Sequence, residues 1–264
     1  HQRAVERHAA REQEFSHEKA SLLIQSRDTT LLLDCGFGLR DAIHRLQRAG
    51  MAPESLTGIL VTHEHDDHAG GVFKLANKFC IPVWLTHGTL TMVERLMPKQ
   101  RGFELHVIDS HAPFTIQDLS VQPFPVPHDA REPVQYTFQD GNTKLGVLTD
   151  TGTSTPHIEA MLSGCHGLVL ECNHDLDMLM NGPYAWPLKK RVSGRLGHLD
   201  NTTSAGILAN LDLSHLQHLL AAHLSAKNNH PDLVIDCLSS ALQCEREWIS
   251  IADQELGFNW RDIR

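Results

Sequence analysis

A short apolar run, Gly58 to Val61, leads through Thr62 into His63-Glu64-His65-Asp66-Asp67-His68, which sets three histidines and two aspartates into six consecutive positions. The run reads as a buried strand, so this polar cluster must sit on the loop at its end. Alternate side chains of a segment leaving a strand point to one side. His63 and His65 can therefore face one ion while Asp67 and His68 reach another. Imidazole nitrogen and carboxylate oxygen at this spacing suit zinc or another borderline divalent metal. The spacing favours two ions over one.

At 264 residues the chain is long enough to bury a full core, and one large domain is the simplest division. Its 41% hydrophobic and 21% charged residues include no unbroken apolar run near the roughly 20 residues that span a bilayer, so a soluble enzyme without a membrane partner is expected. Cys35, Cys80, Cys165, Cys172, Cys237 and Cys244 form no close-spaced framework, and no signal peptide opens the chain, which points to the cytoplasm. Cys35, Cys165 and Cys172 lie in or beside apolar strands, where a thiol serves as a small hydrophobe, and no sulfur ligand is expected. The net charge of −9 argues against a broadly cationic surface but leaves room for a local basic groove. With 19 histidines, spacing has to select the functional few.

Residues 1–18 are polar, rich in Arg, Glu and His, and read as a flexible arm ahead of a domain spanning 19–264. Strands are expected at Leu22 to Ile24, Thr30 to Leu33, Gly58 to Val61, Pro82 to Leu85, Leu168 to Glu171 and Leu219 to Ala222. Helices are expected at Arg40 to Ala49, Val72 to Phe79, Pro156 to Leu162, Asn201 to Leu211 and Pro231 to Cys244. Phe103 to Leu148 reads as consecutive strands with a hairpin turn at Gly141-Asn142. Two runs of strands with helices interspersed suggest two mixed sheets face to face with helices outside, an α+β architecture. Four more positions offer ligand chemistry just after apolar runs: Asp34, His128, Asp150 and His223.

The motif and these strand ends together resemble the metallo-β-lactamase fold superfamily, a four-layer αββα sandwich, over roughly Lys19 to Ala252. The resemblance implies that His63, His65 and His128 hold one divalent ion and Asp67, His68 and His223 the other, zinc or manganese, with Asp150 and a hydroxide between them. Asp34 would stand behind, orienting the His-rich loop. Asp66 is expected to be exposed, and Glu64 to support the site without binding metal.

Glu171, at the end of Gly167-Leu168-Val169-Leu170, and His198, in Gly197-His198-Leu199-Asp200-Asn201, resemble the phosphodiesterase branch that includes the tRNA 3′-processing ribonucleases. There a strand-end Glu orients a His that protonates the leaving oxygen, and a nucleoside alkoxide needs that proton to depart. Asp67, Glu171 and His198 are thus the expected catalytic set, with His174 a weaker alternative acid. Asp200 is placed to cap the following helix, and Gly197 to let the backbone approach a phosphate. Lys189, Lys190, Arg191 and Arg195 gather four cations ahead of His198 in an acidic chain. With Asn201 they are expected to contact substrate, and Tyr184 and Trp186 could stack a base.

At finer grain, the segments at 31–37, 125–129, 148–152, 197–201 and 223–229 resemble the YycJ/VicX (WalJ) family. That resemblance implies 5′-to-3′ exonuclease activity on DNA, with DNA favoured over RNA as the partner. Members usually begin with a strand and a Gly/Ser-rich turn. Here Phe15 to Ser21 reads Phe-Ser-His-Glu-Lys-Ala-Ser, so the first edge of the active-site floor is expected to be altered. A glyoxalase-II-like thioester hydrolase is the rival reading, opposed by the long interval between Asp150 and His223 and the short chain beyond. A β-lactamase is disfavoured because lactam-opening branches carry Cys or Ser at the bridging Asp, and a metal-bearing module without turnover because the ligand set is intact.

Overall fold

A computed structural model describes residues 19–264; the polar arm expected at 1–18 lies outside the described residues. In chain order the elements are β1 (Leu22–Ser26), β2 (Thr29–Leu33), α1 (Leu39–Arg48), β3 (Gly58–Leu60), α2 (Asp66–Ala69), α3 (Val72–Phe79), β4 (Val83–Thr86), α4 (His87–Val93), β5 (Leu105–Ile108), β6 (Phe114–Ile116) and β7 (Leu119–Pro125). They continue with β8 (Val134–Gln139), β9 (Lys144–Leu148), α5 (Pro156–Leu162), β10 (Gly167–Glu171), α6 (Leu176–Asn181), α7 (Trp186–Val192), α8 (Asn201–Asn210), β11 (His218–Ala222), α9 (Pro231–Leu242) and β12 (Ile249–Ile251). The expected helices and strands are present within a few residues. The short helices α2, α4, α6 and α7 and the edge strand β12 are additions, α2 being a helical turn within the motif expected as a loop.

The strands form two sheets, ordered β1-β2-β3-β4-β5 and β12-β11-β10-β9-β8-β7-β6. Side-chain alternation sorts their apolar residues into three cores. Leu31, Leu33 and Leu60 of the first sheet meet Val121, Tyr136, Phe138, Val147, Val169 and Leu220 of the second in the middle layer. Leu32, Ile59, Val83 and Leu85 face outward onto α1, α3 and α4 through Ala42, Leu46, Val72, Phe73, Leu75, Ala76 and Val93. Leu148, Leu168, Leu170, Leu219 and Ala221 face outward onto α5, α8 and α9 through Ile158, Leu162, Ala205, Ile207, Leu208, Val234 and Leu238. Helix on sheet on sheet on helix is the four-layer αββα sandwich, because each sheet buries both faces.

Strand direction places the site. Strands β2 to β5 run parallel, as do β9 to β12. Strand β7 is antiparallel to β8, which is antiparallel to β9, so β7 points the same way as β9. Asp34, the His-rich motif, His128, Asp150, Glu171 and His223 lie at or just past the carboxyl ends of β2, β3, β7, β9, β10 and β11. Aligned strand ends, the usual seat of ligands in such sheets, bring residues distant in sequence to one rim. Of the stretch expected to alter the floor, Lys19 to Ser21 are described. Ala20 N–H donates to the Asp67 carbonyl (2.8 Å), and the Ala20 carbonyl accepts from Gly36 N–H (3.1 Å), which ties the chain's entry into β1 to the His-rich loop.

Candidate metal centre and acid pair

The motif changes conformation midway, which is what lets it serve two groupings. His65 is the extended residue before α2 (φ −61°, ψ 148°), and Asp67 and His68 fall within that single helical turn. Asp34, Asp150 and His223 each leave a strand in the left-handed region, at φ 59°, 50° and 60°. That conformation is uncommon for non-glycine residues and is retained where surrounding structure enforces it. Gly36 makes a second local fit possible: a Cβ there would collide with the Asp67 backbone, so only glycine lets the Asp34 loop close on the motif.

One ligand atom from each of His63, His65 and His128 lies within 4.8 Å of the others, and the same holds for Asp67, His68 and His223. A third set, His63, His68 and Asp150, takes one histidine from each trio, which sets Asp150 between them. Glu171 and His198 join Asp150 and His223 in a fourth. The structure therefore gathers all seven expected ligands.

Four of the histidines turn one nitrogen outward to a protein acceptor. His63 Nδ1–H donates to Thr62 Oγ1 (3.0 Å), whose hydroxyl donates to Asp34 Oδ2 (2.8 Å). His68 Nδ1–H donates to Asp34 Oδ2 (2.8 Å), His128 Nδ1–H to the Gly197 carbonyl (3.1 Å) and His65 Nε2–H to the Asp129 carbonyl (3.3 Å). In the neutral rings these bonds favour one tautomer and turn the opposite nitrogen toward the cluster. Asp34 also accepts from Thr62 N–H at 2.8 Å, so its buried carboxylate organises both halves of the motif. Thr62 was not singled out in the sequence, where it looks like one more strand residue. Glu64 accepts from Arg131 N–H (2.7 Å) and so braces the loop after His128, while Asp66 is exposed and paired with Lys19 (2.8 Å).

Among the described residues, His63 Nε2, His68 Nε2, Asp150 Oδ2 and both ring nitrogens of His223 are buried without a hydrogen bond. Asp150 Oδ2 stands 2.9 Å from His68 Nε2, yet neither atom is aligned to bond the other. Buried polar atoms left unpaired are costly, and a donor set of nitrogen and carboxylate oxygen converging on shared space fits divalent ions. Electrostatics divide the histidines: burial disfavours charge on His68, yet Asp150 and Asp34 hold its ring well above the ordinary value. Burial holds the His63 ring well below its usual pKa, and lowers His128 to about 4, so both rings are neutral. Burial disfavours charge on His223 too, but Asp150 and Glu171 outweigh it and lift the ring to about 10. Burial pushes the Cys35 thiol up to about 12, in keeping with an inert role.

Beside this cluster, Glu171 Oε1 accepts from His198 Nδ1–H at 2.7 Å, and Oε2 accepts from Thr151 N–H at 3.0 Å. Burial disfavours the charged His198 ring, yet Glu171 holds its pKa above the ordinary value. Burial likewise opposes ionisation of Glu171, but His198 draws it down to about 2. Asp200 caps α8 as expected, accepting from Thr202 and Thr203 N–H. His174 is buried, pairs its backbone with Asp200, and belongs to none of these groupings.

The expected substrate contacts divide. Asn201 is buried at 4% exposure and exchanges amide hydrogen bonds with Asn229, both 2.9 Å, so it cannot meet substrate and instead braces α8. Lys189 is half-buried, with Nζ donating to the Met180 carbonyl (2.6 Å). Arg191 Nε donates to Asp129 Oδ2 (2.6 Å). Lys190 and Arg195 are exposed, as is Trp186 at 68%; Lys227 lies over the Tyr184 ring at 5.6 Å. At Gly197 a Cβ would strike the Val192 carbonyl, so its bare backbone packs against the end of α7.

A family described as beta-lactamase superfamily domain matches residues 29–223. The chain is 34% identical over 225 residues to exodeoxyribonuclease YycJ of Bacillus anthracis, covering 84% of each protein. It is 31% identical over 215 residues to exodeoxyribonuclease WalJ of Streptococcus pneumoniae, covering 81% of this chain and 80% of that one. The crystal structure of the metallo-β-lactamase fold protein YhfI from Bacillus subtilis matches with a TM-score of 0.72 over 93% of this chain and 92% of the other. At 18% identity, that likeness establishes the fold alone.

Proposed function

The chain belongs to the beta-lactamase superfamily domain family, and from that premise we propose that it is a metal-dependent nuclease, a 5′-to-3′ exonuclease on DNA, with His198 as general acid. The observation that carries this reading is the 2.7 Å Glu171–His198 pair set against the His and Asp cluster. In this reading His63, His65 and His128 would hold one ion and Asp67, His68 and His223 a second, zinc or manganese, with Asp150 shared by the two groupings and Asp34 supporting them. Two such ions, when bound, would lower the pKa of a water toward about 7 and offset charge on the attacking and leaving oxygens.

The chain's own residues do the rest. Glu171 holds His198 by Nδ1 and keeps the ring protonated, so Nε2 can hand its proton to the leaving oxygen of a nucleotide. The ring is 16% exposed, enough to reach a substrate. Lys190 and Arg195, exposed in the segment that leads to His198, would meet the phosphate backbone, and exposed Trp186 offers a face for a base. All six cysteines are free thiols, which supports a cytoplasmic setting. Support for DNA comes from the two exodeoxyribonucleases, each matched over at least four-fifths of its length.

A substrate panel tests the proposal. The metal-loaded protein should release nucleotides from the 5′ end of linear DNA and leave S-lactoylglutathione and nitrocefin untouched. Faster turnover of the thioester than of DNA would replace this reading with that of a thioester hydrolase.

A further inference from the structure

Arg191 does not stand as a free phosphate contact: its Nε donates to Asp129 Oδ2 at 2.6 Å, across 62 residues of sequence. Asp129 is held at two further points. Its N–H donates to the Leu196 carbonyl (3.0 Å), and its own carbonyl accepts from His65 Nε2–H (3.3 Å). One residue beyond Leu196, the Gly197 carbonyl accepts from His128 Nδ1–H (3.1 Å). Two of the three outward nitrogens in the His63, His65 and His128 trio thus end on the segment 191–197, directly or through Asp129. The next residue is His198.

We propose that Arg191 and Asp129 are positioning residues, a clamp through which the loop bearing His198 fixes the His65 and His128 side of the metal centre. This rests on reading the cluster as a metal centre. The clamp sets the direction of two ligand rings and the place of the acid together, so metal and proton donor stay in register. It also restrains a competitor. Asp129 Oδ1 stands 3.5 Å from His128 Nε2 and 3.8 Å from His65 Nε2, and a carboxylate released by Arg191 could turn into that trio. The side chains of Arg191 and Asp129 are 48% and 28% exposed, and solvated pairs of this kind contribute little to folding. The effect belongs in ligand geometry, where partners behind the ligands typically govern metal affinity by about 10- to 100-fold.

The experiment is metal competition on the purified full chain against a chromophoric chelator, comparing wild type, Arg191→Ala, Asp129→Ala, Asp129→Asn and the double alanine variant, with thermal melts to verify folding. Each alanine variant should weaken one of the two ions by about 10- to 100-fold and spare the other. The double variant should be no worse than the poorer single one, since both break one clamp. Asp129→Asn, which keeps a side-chain oxygen for Arg191, should lose less and guards against a folding defect in Asp129→Ala. Wild-type affinity for both ions in every folded variant, with a raised KM for DNA in Arg191→Ala, would overturn the clamp and return Arg191 to phosphate binding. A wild-type protein that binds no ion would overturn the metal-centre reading itself, and the clamp with it.

Discussion

Glu171 Oε1 and His198 Nδ1 lie 2.7 Å apart, and that contact joins the end of a buried central strand to the loop preceding α8. If His198 protonates the leaving oxygen, His198→Ala should retain both metals and the fold while losing roughly 100- to 10,000-fold in rate on DNA. The loss should shrink on bis-p-nitrophenyl phosphate, whose leaving group departs without a proton. Glu171→Gln should follow the same pattern more weakly. Equal losses on both substrates would place His198 in structure instead.

Asp34 accepts from Thr62 N–H, Thr62 Oγ1 and His68 Nδ1–H, all at 2.8 Å. Asp34→Ala strips the acceptor from each, so metal affinity should fall by about 10- to 100-fold, and folding stability by about 1–3 kcal/mol for buried donors left unpaired. Chelator competition and denaturant melts read the two effects separately. An alanine variant with wild-type values for both would remove Asp34 from the support of the motif.

In the metal-free protein, burial opposes the charged form of His223, but Asp150 and Glu171 raise its pKa from 6.5 to about 10. The folded value exceeds the unfolded one, so this stabilisation is fully present below about pH 6.5 and is lost as pH rises through about 10. If His223 is a ligand, metal has to displace that proton. Chelated protein should therefore melt at lower temperature from neutral pH toward pH 10, while metal affinity climbs over the same window. Calorimetric titrations in buffers of different ionisation heat should show proton release, and none, with affinity flat in pH, would exclude His223 as a ligand.

Asn201 and Asn229 exchange two buried amide hydrogen bonds. Asn201→Leu removes both and leaves one buried amide hydrogen of Asn229 without an acceptor, its other bonds to the Cys172 carbonyl and His230 N–H remaining, and should cost about 1–3 kcal/mol in denaturant unfolding with KM for DNA unchanged in the folded enzyme. A raised KM with full stability would restore Asn201 to the substrate surface.

These outcomes trace which parts of the molecule could be read from the chain. Asp34, Asp150 and His223 were legible because each ends an apolar strand, and parallel strands deliver their carboxyl ends to one rim. Pro156–Leu162 and Val72–Phe79 were legible because their apolar spacing is helical over the whole element. Helix α4, capped by Thr86, went unread because Gly88, Thr89 and Thr91 interrupt its apolar spacing, and α6, capped by Asp175, because it is a single short run of six residues. Thr62 was invisible because its hydroxyl matters only once Asp34 is folded beneath it. Arg191 read as a phosphate contact and Asn201 as a surface amide because their partners, Asp129 and Asn229, meet them only in the folded chain.

The central claim is that this rim is a two-metal nuclease site, and a stoichiometric titration tests it most directly. Chelated protein would be reloaded with zinc or manganese in fractional steps, with bound metal measured by elemental analysis and nucleotide release from 5′-labelled linear DNA measured at each step. The account predicts binding that saturates at about two ions per chain, with activity rising mainly as the second ion binds. Saturation at a single ion with full activity, or nuclease activity that persists in chelated, metal-free protein, would contradict it.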